Sequence, residues 1–148
     1  MRIYSMIYIV ENIVPILAAT VAAFGFGGLW FGVLSRFWSR AQLRVTGRPD
    51  TGRRGISTYT LVFIAEFWMC AILAGALILA PPEASPWAMA IGSAIIIWVG
   101  FVLPAIVADH HLAGRPFALT LLQAGHWGGA MVVMAVVLQA TGVSGPSV

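Results

Sequence analysis

The chain has no lysine, one cysteine and only nine per cent charged residues over 148 positions. Each shortage excludes something. Water must be offered a polar surface, and a soluble domain carries near a quarter charged residues. With 60% hydrophobic residues, this chain cannot cover itself that way, and its natural solvent is lipid. The lone Cys70 lies in an apolar run, cannot close an internal disulfide, and reads as a small buried apolar group. No Gly-rich phosphate loop, nucleophile elbow, paired-cysteine motif or HExxH occurs. The longest stretch left for water is about twenty residues, too little to build a soluble active site. These absences argue against an enzyme. The net charge of +3 is carried by arginine alone. The arginines cluster at one place between apolar runs, which marks a membrane flank and not a nucleic-acid surface.

A hydrocarbon core about 30 Å thick needs roughly 20 apolar residues in a helix. Four segments meet that length: residues 13–34, 57–80, 87–108 and 117–140. The expected fold is all-α, a single membrane domain with four transmembrane helices and short loops. The first segment is too long for the apolar core of a cleaved leader and reads as a true span. The loop 36–55 holds six of the eight arginines, broken by Gly47, Pro49, Gly52 and Gly55. Basic loops face the cytoplasm. That places loop 36–55 on the cytoplasmic side of the inner membrane and both termini outside, with only Arg2 arguing the other way. Arg36, Arg40 and Arg44 recur at i, i+4, i+8 on one helix face and are positioned to meet lipid phosphates. The first span then continues into the cytoplasm.

Within the second span stands "LVFIAEFWMC", residues 61–70, in which nine apolar residues surround Glu66. A charge at mid-bilayer costs about 2.5–3.5 kcal/mol on insertion scales, so such a group must be neutral, paired, or facing a wet cavity. The fourth span offers His126. Glu66 lies nine residues past Ser57 and His126 nine past Phe117. If both helices leave the cytoplasm level, both side chains sit about 14 Å deep and can meet. Gln123, one turn away, extends the network. The pair reads either as a proton- or cation-handling site or as interhelical glue that fixes packing.

Other polar positions are weaker. Asn12 is a helix cap or an interface residue. Asp109, His110 and His111 read as a polar turn, at most a weak surface cluster, and no metal site is predicted there. In "QAGHWGGA", Gly125, Gly128 and Gly129 clear space around His126, either for close helix packing or for a haem-type macrocycle held by the imidazole; no other cofactor is implied. Gly28 with Gly32, Gly125 with Gly129, Ala71 with Gly75, and Ala88 with Gly92 form small-xxx-small pairs, which let helices approach closely in lipid. They fit packing inside the bundle, a homo-oligomer (a dimer first), or a larger membrane complex. Pro15 and Pro104 mark helix kinks. Trp30, Trp38, Trp87 and Tyr59 fit an interfacial belt. Trp68, Trp98 and Trp127 lie deeper, as packing groups.

Several pieces recur together: Asn12 ahead of an Ala-rich span, "GLWFG" at residues 28–32 with an aromatic and basic exit, and "WVGFVLPAIVADHHLAGRPFALTLLQAGHW". In this the chain resembles the small four-helix membrane proteins of the family called domain of unknown function 1761. The resemblance implies a four-span bundle and hands over no activity or catalytic residue. Two functions stay open. One is proton-linked transport, with Glu66 as carrier and His126 as partner. The other is a non-catalytic accessory or scaffold subunit.

Overall fold

A computed structural model describes residues 7–48, 54–81 and 83–145. Arg2, Pro49, Gly52 and Arg53 lie outside the described residues. The described chain runs α1 (Ile7–Glu11), α2 (Ile13–Val33), α3 (Ser35–Thr46), α4 (Ile56–Ile78), α5 (Pro86–Ile97), a π-helical turn (Trp98–Val102), α6 (Leu103–Leu112) and α7 (Phe117–Thr141). Four stretches are long and apolar enough to cross a membrane: Ile13–Val33, Ile56–Ile78, Pro86–Leu112 and Phe117–Thr141. Each is apolar all round, as a helix in hydrocarbon can be. Their outer faces carry Val14, Leu29, Leu61, Trp68, Ile96 and Phe101, all exposed. Trp68, expected to pack inside, turns outward among them.

The core is built from small side chains. Ala19 and Ala23 of α2, Ala71 and Ala74 of α4, Ala90 and Ala94 of α5, and Ala130 and Ala135 of α7 are all buried. Alanine lets helices come close, which supplies dispersion energy where hydrocarbon gives no hydrophobic drive. The fourth span is the most deeply buried of the four and the third the least. Helices α2 and α7 run antiparallel, because Asn12 meets Ser144 at one end and Trp30 meets Leu122 toward the other.

Helix breaks follow local chemistry. Pro15, which has no N–H to donate, lies three residues past the irregular Asn12. At Leu34 the ladder holds through one distorted residue: its N–H reaches Trp30 O at 3.0 Å, and Trp38 N–H reaches Leu34 O at 2.9 Å. The first span therefore runs almost directly into α3. In the third span Leu103 N–H closes on Trp98 O, five residues back, and Pro104 follows at once. The ladder changes register where proline's missing donor falls. At the end of α6, Gly114 takes φ +63 and Arg115 N–H returns to His110 O at 2.9 Å. This is a Schellman closure needing glycine. Residues 109–112 are thus helical, and the turn between the last two spans shrinks to residues 113–116.

Asn12 is buried and does not cap α2. Its Nδ2 donates to Tyr8 O and to Ser144 O, each at 2.9 Å, and its Oδ1 accepts from Ser144 N–H at 2.9 Å. One amide thereby ties the start of α2 to the segment after α7. Asn12→Ala removes all three bonds and should cost about 1–3 kcal/mol. Thermal unfolding in detergent measures this, and an unchanged midpoint would show that the clamp carries no stability.

Candidate functional site

Glu66 occupies the inner face of α4 with no solvent exposure, one turn before Cys70. Both carboxyl oxygens lack a hydrogen-bond partner. Its level on α2 is bracketed by two contacts. Cys70 Sγ donates to Ile16 O at 3.5 Å, and the Phe63 ring meets Phe24 edge-on at 5.6 Å. Glu66 thus stands level with Thr20, whose hydroxyl also donates to Ile16 O, at 2.7 Å.

His126 is buried elsewhere. A β-carbon added to Gly27 would stand 2.8 Å from its Nε2, so the imidazole lies directly against the backbone of α2 there. Phe31 meets the ring at 4.8 Å between centroids, and Phe26 lies nearly parallel to it at 6.4 Å. Nδ1 has no partner. From Thr20 to Gly27 is seven residues, about 10 Å along the helix. The expected Glu66–His126 pair is therefore not formed. Counting from the helix starts assumed that α4 and α7 leave the membrane surface level; their contacts with α2 show a stagger of about two turns. Gln123 is half-buried on α7 and joins neither group by a hydrogen bond among the described residues.

The glycines beside His126 are filled sockets. A β-carbon at Gly125 would meet the Trp30 ring at 2.9 Å, one at Gly128 would meet Trp98 at 2.9 Å, and Gly129 faces Phe26. Each admits an aromatic ring from a neighbouring segment. The rings of Phe26 and Phe31 also lie beside the His126 imidazole. Trp30 Nε1 donates to Leu122 O at 3.1 Å and Trp98 Nε1 to Ala124 O at 3.0 Å. Trp30 is thus tied into the bundle. Gly75 seats Tyr8 of α1, whose hydroxyl donates to Ala71 O at 3.1 Å, so the glycine of the Ala71–Gly75 pair packs a phenol. Gly28 and Gly32 face open space with no atom within 4 Å of a would-be β-carbon, as does Gly92. Gly27, one residue off the expected motif, is the glycine of α2 that packs.

The Asp109–His110–His111 cluster comes apart. Asp109 and His111 are exposed, whereas His110 is buried and its Nδ1 lies 3.1 Å from Thr120 Oγ1. Successive side chains on a helix diverge by about 100°, and α6 continues through all three. Among the described residues no three His, Cys, Asp or Glu groups converge on a metal position. Arg36, Arg40 and Arg44 lie exposed on α3. Two cavities of about 240 Å³ flank the bundle. One lies at the end of the bundle that holds Gln139 and Val143, and the other is an apolar groove beside Trp98 and Gly128. Neither is lined by Glu66 or His126. Sequence reasoning missed the Thr120, Tyr8 and Ser144 contacts, because nothing local marks a partner more than a few residues away.

Four long apolar helices, packed through alanines with one unpaired carboxyl inside, define a polytopic α-helical membrane protein. A family model matches residues 14–139, all but the edges of the four spans. The chain belongs to that family, described as protein of unknown function (DUF1761). No curated protein and no solved structure matches it.

Two measurements check this geometry. Groups well apart without shared partners add within about 0.5 kcal/mol. Glu66→Gln and His126→Gln should therefore combine additively in stability, and a larger coupling would restore the pair. Gly27→Val should destabilise by about 1–3 kcal/mol through overpacking. His126→Ala should recover part of that loss in the double variant, and no recovery would place the imidazole elsewhere.

Proposed function

We propose that this membrane protein handles protons, or a small cation exchanged for them, at Glu66 alone. The observation that supports this is the carboxyl itself: fully buried, with neither oxygen partnered. A packing role asks for no carboxyl, since a buried ion pair is often replaceable by apolar side chains without loss. An unpartnered acid in hydrocarbon is by default a functional hypothesis. Glu66 binds a proton or cation when the bundle opens to one side and releases it to the other. His126 is not part of that step. No enzymatic role is proposed.

The second reading, a scaffold subunit, is favoured by Gly25, Gly28 and Gly32, which leave one face of α2 open. A second copy or a larger membrane complex would pack there. In either reading the protein sits in the inner membrane with loop 36–55 cytoplasmic, because arginine collects at that end while Glu83 occupies the opposite turn.

Liposomes holding the purified protein and a pH-sensitive dye separate the two. Under an imposed potential, Glu66→Gln should reduce proton flux to the protein-free background, and His126→Gln should leave it intact. If Glu66→Gln conducts like the unaltered protein, the carrier reading fails and the scaffold reading stands.

A further inference from the structure

Helix α3 differs from the spans. It is amphipathic, begins one residue past the membrane helix α2, and holds to the bundle through its buried Ala41 and through Trp38, which meets Phe31 edge-on at 5.3 Å. At 100° per residue, Arg36, Arg40 and Arg44 spread over about 80° of the helix, roughly opposite Trp38. Phe37 and Leu43 border the arginine stripe on its two sides. They are 62% and 47% exposed. No carboxylate pairs with the three arginines among the described residues.

Two bulky apolar side chains flanking three unpaired guanidinium groups suit neither water nor hydrocarbon. They suit the boundary between phosphates and acyl chains, where an interfacial helix buries apolar groups beside its basic ones. Guanidinium forks match phosphate oxygens. The helix is 12 residues long, about 18 Å, so the whole stripe stays near the membrane surface from which α2 emerges. We propose that the outer face of α3 binds anionic phospholipid, with Arg36, Arg40 and Arg44 on headgroup phosphates and Phe37 and Leu43 in the acyl boundary. A nucleic acid would leave Phe37 and Leu43 in water. This inference is independent of any role for Glu66.

Native mass spectrometry of the detergent-solubilised protein, titrated with phosphatidylglycerol or with phosphatidylcholine of the same chains, tests it. Near a charged surface each arginine contributes about five-fold, so phosphatidylglycerol should be preferred on the order of 100-fold. Replacing all three arginines by glutamine should abolish the preference. Replacing them by lysine should keep most of it, and Arg115→Gln should change it little. Excess inorganic phosphate should not displace the lipid, because the acyl contacts remain. Equal binding of the two lipids, an unchanged preference in the glutamine variant, or displacement by phosphate or an oligonucleotide each overturns the proposal.

Discussion

Hydrocarbon offers no hydrogen bond, so every polar atom of this chain inside the membrane must be answered by the chain itself. That demand explains most of the tertiary contacts. Tyr8, Thr20, Trp30, Cys70 and Trp98 all donate to backbone carbonyls. His110 and Thr120 answer each other. Five of these bonds join different helices, namely those of Tyr8, Trp30, Cys70 and Trp98 and the His110–Thr120 pair, and each fixes a rotation and a depth that alanine packing alone would leave free. Asn12 does the same at the end of the bundle, where one amide holds both backbone groups of Ser144.

The glycines serve this network. An indole can reach a carbonyl on a neighbouring helix only if its ring has somewhere to lie. Gly125 and Gly128 provide that place on α7, immediately beside the Leu122 and Ala124 carbonyls. A methyl at either position would push the ring off and strand both the N–H and its fit. Glycine in the middle of a helix gives up about 1 kcal/mol of propensity against alanine. Here the loss is offset by a buried aromatic contact and a hydrogen bond that lipid could not supply.

The spans could be read from the sequence because their signal is additive: some twenty apolar residues in a row need no partner to declare themselves. The basic end was legible for the same reason. What stayed hidden depended on relations between helices. Glu66 and His126 stand at equal distance from their helix starts, yet α4 and α7 are staggered, and a stagger leaves no trace in either segment. Gly28 and Gly32 fit a packing motif, while Gly27 does the packing, since spacing names a face but cannot say which face turns inward. His110 looked solvated because its neighbours Asp109 and His111 are polar. The helix carries those two outward and leaves His110 facing α7.

Against this background the two unanswered groups are not equivalent. His126 lacks a partner at one nitrogen, but its ring has a packing account. It is a flat body held between Gly27, Phe26 and Phe31, and it fills the space as an aromatic side chain would. One unmade hydrogen bond on a neutral ring costs about 1–3 kcal/mol. Glu66 has no such account. Its hydrocarbon stem packs no better than that of methionine, and Met131 and Met134 already serve as core residues in this bundle. A carboxyl with two unpartnered oxygens loses more than one hydrogen bond, whereas among the described residues nearly every other buried side-chain donor and acceptor is answered. That contrast is what supports the proposal that Glu66 takes up and releases a proton or cation, which a methyl could not do.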